Sequence, residues 1–173
     1  MIYQDLKRLK VVALGLTLLM AVLVTPTLYA ADMEIEMLNR RDDGTKMIYS
    51  IDVARVDVGD TITWVPTTKG HNVHFLAGPE GWDLPKKSKQ NKEVAITFDT
   101  PGVYLYQCTP HASMGMIGLV VVGDDTSNAD AIAKAKVRGK SKKFLKKTTW
   151  RTVNEMVTKY FQMEKKRPNS RIS

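Results

Sequence analysis

Cys108-Thr109-Pro110-His111-Ala112-Ser113-Met114-Gly115-Met116, running straight into the apolar stretch Ile117–Val122, decides how this chain is read. A thiol, an imidazole and two thioethers fall within one short loop. Such soft-to-borderline donors suit copper, and two histidines, one cysteine and a weak axial methionine make the blue-copper ligand set. The second imidazole has to come from elsewhere, and the remaining histidines are His71 and His74. Strand alternation places His71, Val73 and Phe75 on one face and Asn72 and His74 on the other, so the pair does not serve one ion together. His71 follows Lys69-Gly70 at a strand entrance, where a turn aims it at the end of a sheet. His74 is assigned to the rim. On spacing alone either Met114 or Met116 supplies the thioether.

Rival chemistries fit this loop less well. A cysteine nucleophile with a histidine base needs a third group to orient the base, and leaves two methionines without a role. Zinc seldom takes a thioether. A merely buried cysteine leaves the clustering of donors around it unexplained.

Moving outward, residues 31–123 read as short strands. Runs rich in Val, Ile, Thr, Tyr and Phe lie at 33–38, 47–53, 61–65, 73–76, 94–98, 103–107 and 117–122. Asp43-Gly44, Gly59-Asp60, Gly78-Pro79 and Pro101-Gly102 mark turns between them. That spacing predicts an antiparallel sandwich or barrel. Helices are predicted over 128–137, capped by Asn128 and ended by Gly139, and over about 148–164, where Trp150, Val153, Val157, Tyr160 and Phe161 share a face.

Residues 1–30 are a separate object. Lys7, Arg8 and Lys10 precede an apolar run from Val11 to Val24, and Leu28-Tyr29-Ala30-Ala31 offers a cleavage site. The run of about 14 residues is shorter than the roughly 20 of a spanning helix, so it reads as a signal peptide and the mature chain as exported. An exported protein with one cysteine has no internal disulfide, and its lone thiol calls for a partner such as a metal.

The formal charge of +8 invites a nucleic-acid reading. Its distribution argues otherwise. Residues 31–123 carry nine basic against twelve acidic side chains, and residues 124–173 carry fourteen against five. Past residue 30 the basic character is confined to a C-terminal extension, 124–173, set off by Gly123-Asp124-Asp125. Export makes nucleic acid an improbable partner.

Several segments together resemble the pseudoazurins, blue-copper proteins of the cupredoxin family. They are Met37-Leu38-Asn39, Val58-Gly59-Asp60-Thr61, Lys69-Gly70-His71-Asn72-Val73, Pro101-Gly102-Val103-Tyr104, the loop from Cys108 to Met116, Val122-Gly123-Asp124 and Asn128–Ile132. The resemblance spans about residues 31–150. It implies a mainly β fold, an eight-stranded Greek-key sandwich with two C-terminal α-helices packed on it, and one copper ion per chain. It implies the ligands His71, Cys108, His111 and Met116, choosing Met116 because the His-x-x-x-x-Met spacing matches and leaving Met114 to an apolar patch with Pro110 and Ala112. Asn72 would tie the two ligand segments together. Lys69, Lys86 and Lys87 would steer an acidic partner.

The implied function is one-electron transfer by a monomer in the periplasm, not catalysis, with a nitrite reductase or c-type cytochromes as partners met transiently. A periplasmic copper carrier, or a carrier of plastocyanin or amicyanin type, is the alternative. The chain departs from the family at Gln107, where a lysine is usual, along His74–Lys87, and in a tail that runs past Thr149 to Glu164-Lys165-Lys166-Arg167.

Overall fold

The computed structural model describes residues 32–147. The signal segment 1–30 and the helix predicted over 148–164, with the basic end that follows it, lie outside the described residues.

Eight strands form two four-stranded sheets. β1 (Asp32–Arg40), β2 (Lys46–Tyr49), β4 (Thr61–Val65) and β6 (Val94–Thr97) make the first, in the order β2-β1-β4-β6. β3 (Val53–Val56), β5 (His74–Ala77), β7 (Gly102–Gln107) and β8 (Ile117–Val122) make the second, in the order β3-β8-β7-β5. The sandwich is not purely antiparallel. β1 pairs with β4, and β3 with β8, in parallel. The apolar stretch predicted as one strand over 47–53 is divided between β2 and β3, so the chain passes from one sheet to the other at Ser50–Asp52.

Alternation makes the first sheet one-sided. Ile35 and Met37 of β1 and Ile62 and Trp64 of β4 point inward, while Glu34 and Glu36 face out. The inward residues meet Phe75, Phe98, Tyr104 and Tyr106, with Trp64 edge-on to Tyr106 at 5.1 Å between ring centroids. Rings in this T-shaped arrangement add about 0.5–1.5 kcal/mol per pair beyond simple burial.

The second sheet is covered on both faces, which explains the unbroken apolar run of β8. Val120 and Val122 join the core between the sheets, while Ile117, Leu119 and Val121 turn outward. There they meet Ile132 of α1 (Ala129–Ala133), Val137, and Leu145 of α2 (Lys140–Lys147). Each large apolar side chain so buried contributes on the order of 1.5–3 kcal/mol. Residues from beyond Gly123 thus share a core with β7 and β8.

The helices differ from their sequence expectations. α1 is shorter than predicted, and α2 occupies a stretch for which no helix was expected. Asn128 does not cap α1 with its side chain. Its amide instead accepts the Val103 N–H at 2.9 Å and donates to the Val103 carbonyl at 2.7 Å, pinning the start of α1 to β7. Gly139, at φ +53°, does not end the first helix but precedes the second. Among the described residues no helix is long and apolar enough to cross a membrane.

Candidate metal centre

The donor atoms lie on two loops at one end of the sandwich. His71 stands three residues ahead of β5, where Gly70 turns the chain at φ +101°. The strand expected over 73–76 runs from His74 to Ala77, so His71 through Val73 is a loop held by hydrogen bonds from a neighbouring segment. Ser88 Oγ accepts the Val73 N–H at 2.9 Å, the Asn91 N–H donates to the His71 carbonyl at 2.9 Å, and Asn91 Oδ1 accepts the Gly70 N–H.

Cys108 follows the end of β7, and its N–H donates to the Met116 carbonyl at 3.0 Å, closing the base of the second loop. Within it the His111 N–H donates to the Cys108 carbonyl at 3.2 Å, and the His111 carbonyl accepts from Met114 and Met116. A short 3-10 turn, Ala112–Met114, ends at Gly115 with φ +102°.

These loops bring three donor atoms face to face. Cys108 Sγ lies 3.4 Å from His111 Nδ1 and 3.7 Å from His71 Nδ1, and the two nitrogens are 3.2 Å apart. The point equidistant from all three lies about 2.0 Å from each, within the roughly 2.0–2.3 Å typical of metal bonds to nitrogen and sulfur. Two imidazole lone pairs aimed at one another are unfavourable alone, and a cation between them reverses the sign. The donor set and its spacing therefore fit a copper ion.

The surroundings hold the two imidazoles, though not the thiol, in the form a metal needs. His71 Nε2 lies 2.9 Å from Asn39 Oδ1, an acceptor, so that nitrogen carries the proton and Nδ1 presents its lone pair to the centre. Burial, then the nearby His111, pushes the His71 pKa below the ordinary histidine value, and burial lowers that of His111. Both rings are thereby kept neutral. Burial raises the Cys108 thiol, against the opposing pull of the Asn72 and His111 backbone N–H groups. Without a cation the thiol keeps its proton; metal binding must release it.

Asn72 binds both loops, as expected. Its Oδ1 accepts the Thr109 N–H at 2.8 Å, and its Nδ2 donates to the Ser88 carbonyl at 3.2 Å. Tyr49, from the other sheet, donates its hydroxyl to the Asn72 carbonyl at 2.8 Å.

Two methionines occupy opposite environments. Met116 is wholly buried in the same core cluster as Cys108, whereas Met114 is 44% exposed. Pro110 is exposed beside it and His111 is half-buried, but Ala112, expected in the apolar patch, is buried. His74 is half-buried on β5 opposite Gln107 and outside the donor triangle. Lys69, Lys86 and Lys87 are exposed, as a steering role requires. The sequence reading missed α2, which lies against the ligand loop: Ser141 Oγ donates to the Ala112 carbonyl at 2.7 Å.

Residues 35–123 match the copper binding proteins of the plastocyanin/azurin family. A pseudoazurin from Paracoccus pantotrophus is 42% identical over 116 residues, covering 66% of this chain and 79% of that protein. One from Methylorubrum extorquens is 39% identical over 117 residues, covering 66% and 78%. The solved structure of a Sinorhizobium pseudoazurin matches with a TM-score of 0.65 at 42% identity, over 70% of this chain and 95% of the other.

Proposed function

This chain belongs to the plastocyanin/azurin family of copper-binding proteins, with pseudoazurins as its relatives, and from that premise we propose that it is a periplasmic one-electron carrier. Its single copper is held by His71, Cys108, His111 and Met116. The observation that carries the proposal is the triangle of Cys108 Sγ and the two histidine Nδ1 atoms, with edges of 3.2 to 3.7 Å. Burial of Met116 and exposure of Met114 favour Met116 as the residue that would supply the thioether.

Copper bound there supplies a one-electron couple between Cu(I) and Cu(II). The chain's own part is to hold three donors rigidly, so that little reorganises when the charge changes. Asn39 fixes the His71 tautomer, and Asn72 keeps the two loops in register. His111, half-buried on the outer loop, offers its outer edge as the electron's exit. Pro110 and Met114 give a small apolar contact around it, and the exposed lysines attract an acidic partner.

Residues 1–30 serve as the export signal, removed after Ala30 or Ala31, and the mature chain works as a monomer. Residues 124–173 form its basic helical extension. A nitrite reductase or a c-type cytochrome in the same compartment is the proposed partner.

The visible spectrum and voltammogram of the purified, copper-loaded protein test this. An intense thiolate-to-copper band with a reversible one-electron wave is expected. A colourless protein that gives up copper readily to a chelator would instead support a copper-delivery role and overturn electron transfer. Stopped-flow mixing with nitrite reductase and with c-type cytochromes then distinguishes the partners.

A further inference from the structure

We propose that Ser141 and Gly139, at the start of α2, are positioning residues that set the conformation of the ligand loop and through it the reduction potential. This rests on the copper-carrier reading of the site. The helix is first anchored independently of the loop, by Leu145 and the preceding Val137 packed on the outer face of β7 and β8. From that anchor it reaches the loop at three points. Ser141, with no exposed surface, donates its hydroxyl to the Ala112 carbonyl at 2.7 Å. That carbonyl also accepts the Gly115 N–H at 3.2 Å, so one oxygen joins the helix to both ends of the 3-10 turn. A methyl group on Gly139 would overlap the Ser113 carbonyl, and one on Gly115 would lie 3.2 Å from Lys140 Cβ.

Ala112 is bonded directly to His111, and the turn it opens leads through Gly115 into Met116. The helix therefore grips the peptide between two proposed ligands. A closed Ser141 hydroxyl in a dry contact loses little to water competition, and its removal leaves the Ala112 carbonyl with one buried partner fewer. Gly139 matters sterically: its side-chain-free face allows helix and loop backbones to touch, and its φ of +53° is one that other residues adopt poorly. A loop released from this grip would follow the geometric preference of Cu(II), which favours the oxidised form and lowers the potential.

The test compares copper-loaded and copper-free forms of four proteins: wild type, Ser141→Ala, Gly139→Ala and Ile132→Val. Ile132→Val loosens the other helix on the same sheet without approaching the loop, and controls for lost stability alone. Ser141→Ala is expected to shift the Cu(II)/Cu(I) ratio at fixed potential by about three- to fivefold toward Cu(II), to alter the EPR hyperfine splitting, and to slow electron self-exchange. Gly139→Ala should change the same quantities more. Ile132→Val should lower thermal stability while leaving spectrum and potential unmoved.

In the copper-free protein, the Gly115 amide should exchange its hydrogen several-fold faster in Ser141→Ala than in wild type, a readout that needs no metal. If Ser141→Ala matches wild type in potential, EPR and amide exchange, the inference is wrong. It also fails if Ile132→Val shifts the potential as much as Ser141→Ala, since stability would then be the cause. A wild type that lacks the blue band overturns the carrier reading instead, while the Gly115 exchange still tests the grip of α2 on the loop.

Discussion

Asn72 accepts a 2.8 Å hydrogen bond from the backbone N–H of Thr109, so the neighbour of one proposed ligand, His71, is fastened to the neighbour of another, Cys108. Two loops 37 residues apart in sequence thereby share a single side chain as their brace. Asn72→Ala removes that bond and the one its Nδ2 donates to the Ser88 carbonyl. Each such partly buried bond contributes about 0.5–1.5 kcal/mol. Denaturant midpoints of the copper-free protein should fall accordingly, and the copper-loaded form should lose metal faster to a chelator.

Cys108→Ala should abolish the blue absorption and leave the copper-free fold intact. Cys108 is the chain's one thiol, so no other residue can supply the charge-transfer band. Visible absorption checks the first part and far-ultraviolet circular dichroism the second. An intense blue band in the mutant would refute the ligand assignment.

The methionines should separate cleanly. Met116→Gln replaces a buried soft donor by a harder oxygen and should shift the potential and the EPR parameters. Met114→Gln alters an exposed side chain and should leave the centre alone while weakening contact with the electron acceptor. The reverse pattern would place Met114 on the metal.

His74 should make the copper-loaded protein less stable in mild acid. Burial, then the charge of Lys87, holds its pKa below the ordinary value, and among the described residues its Nδ1 is buried without a hydrogen-bond partner. The unfolded chain therefore binds a proton more readily than the folded one. The His74 contribution to stability is complete above pH about 6.5 and is lost as pH falls below it, toward and through the lowered folded value. With His71 and His111 engaged by copper, His74→Val should flatten the rise in thermal midpoint as the pH climbs toward about 6.5.

Lys142 and Lys143 are exposed on α2, the helix that touches the ligand loop. Reversing both to Glu should slow association with an acidic electron acceptor at low salt. At high ionic strength the difference should shrink, because the Debye length falls from about 10 Å at 0.1 M to about 3 Å at 1 M. Equal rates at low salt would remove α2 from the docking face.

The ligand loop was legible because its donors are local: a Cys-x-x-His spacing needs no tertiary knowledge. β4, β7 and β8 were legible for a related reason, since apolar runs bounded by turn residues fall where those strands begin and end. The division of 47–53 into two strands was not, because Ser50-Ile51-Asp52 contains neither glycine nor proline, and the crossing to the second sheet is dictated by distant pairings with β1 and β8. α2 was hidden by composition. Its eight residues, KSKKFLKK, include five lysines and only two apolar side chains, too few to display helical periodicity. Its place is fixed by the surfaces it meets, the outer face of β8 and the backbone of Ser113. Asn128 misled in a similar way: a residue type that favours caps spends its amide on Val103 when a strand edge is nearer.

β3 lies at the edge of the second sheet, and among the described residues its one partner strand is β8, the last strand in chain order. While the chain is still emerging, Val53–Val56 has no strand to join, and that sheet closes only after Ile117–Val122 has been made. Cys108, His111 and Met116 come immediately before that closing strand. The three donors can therefore be held together only once β8 has been made, although all of them precede it in the chain. Sequence-distant pairing of this kind is slow. An arrested chain ending before Ile117 should therefore carry the thiol and both imidazoles yet be unable to hold them together.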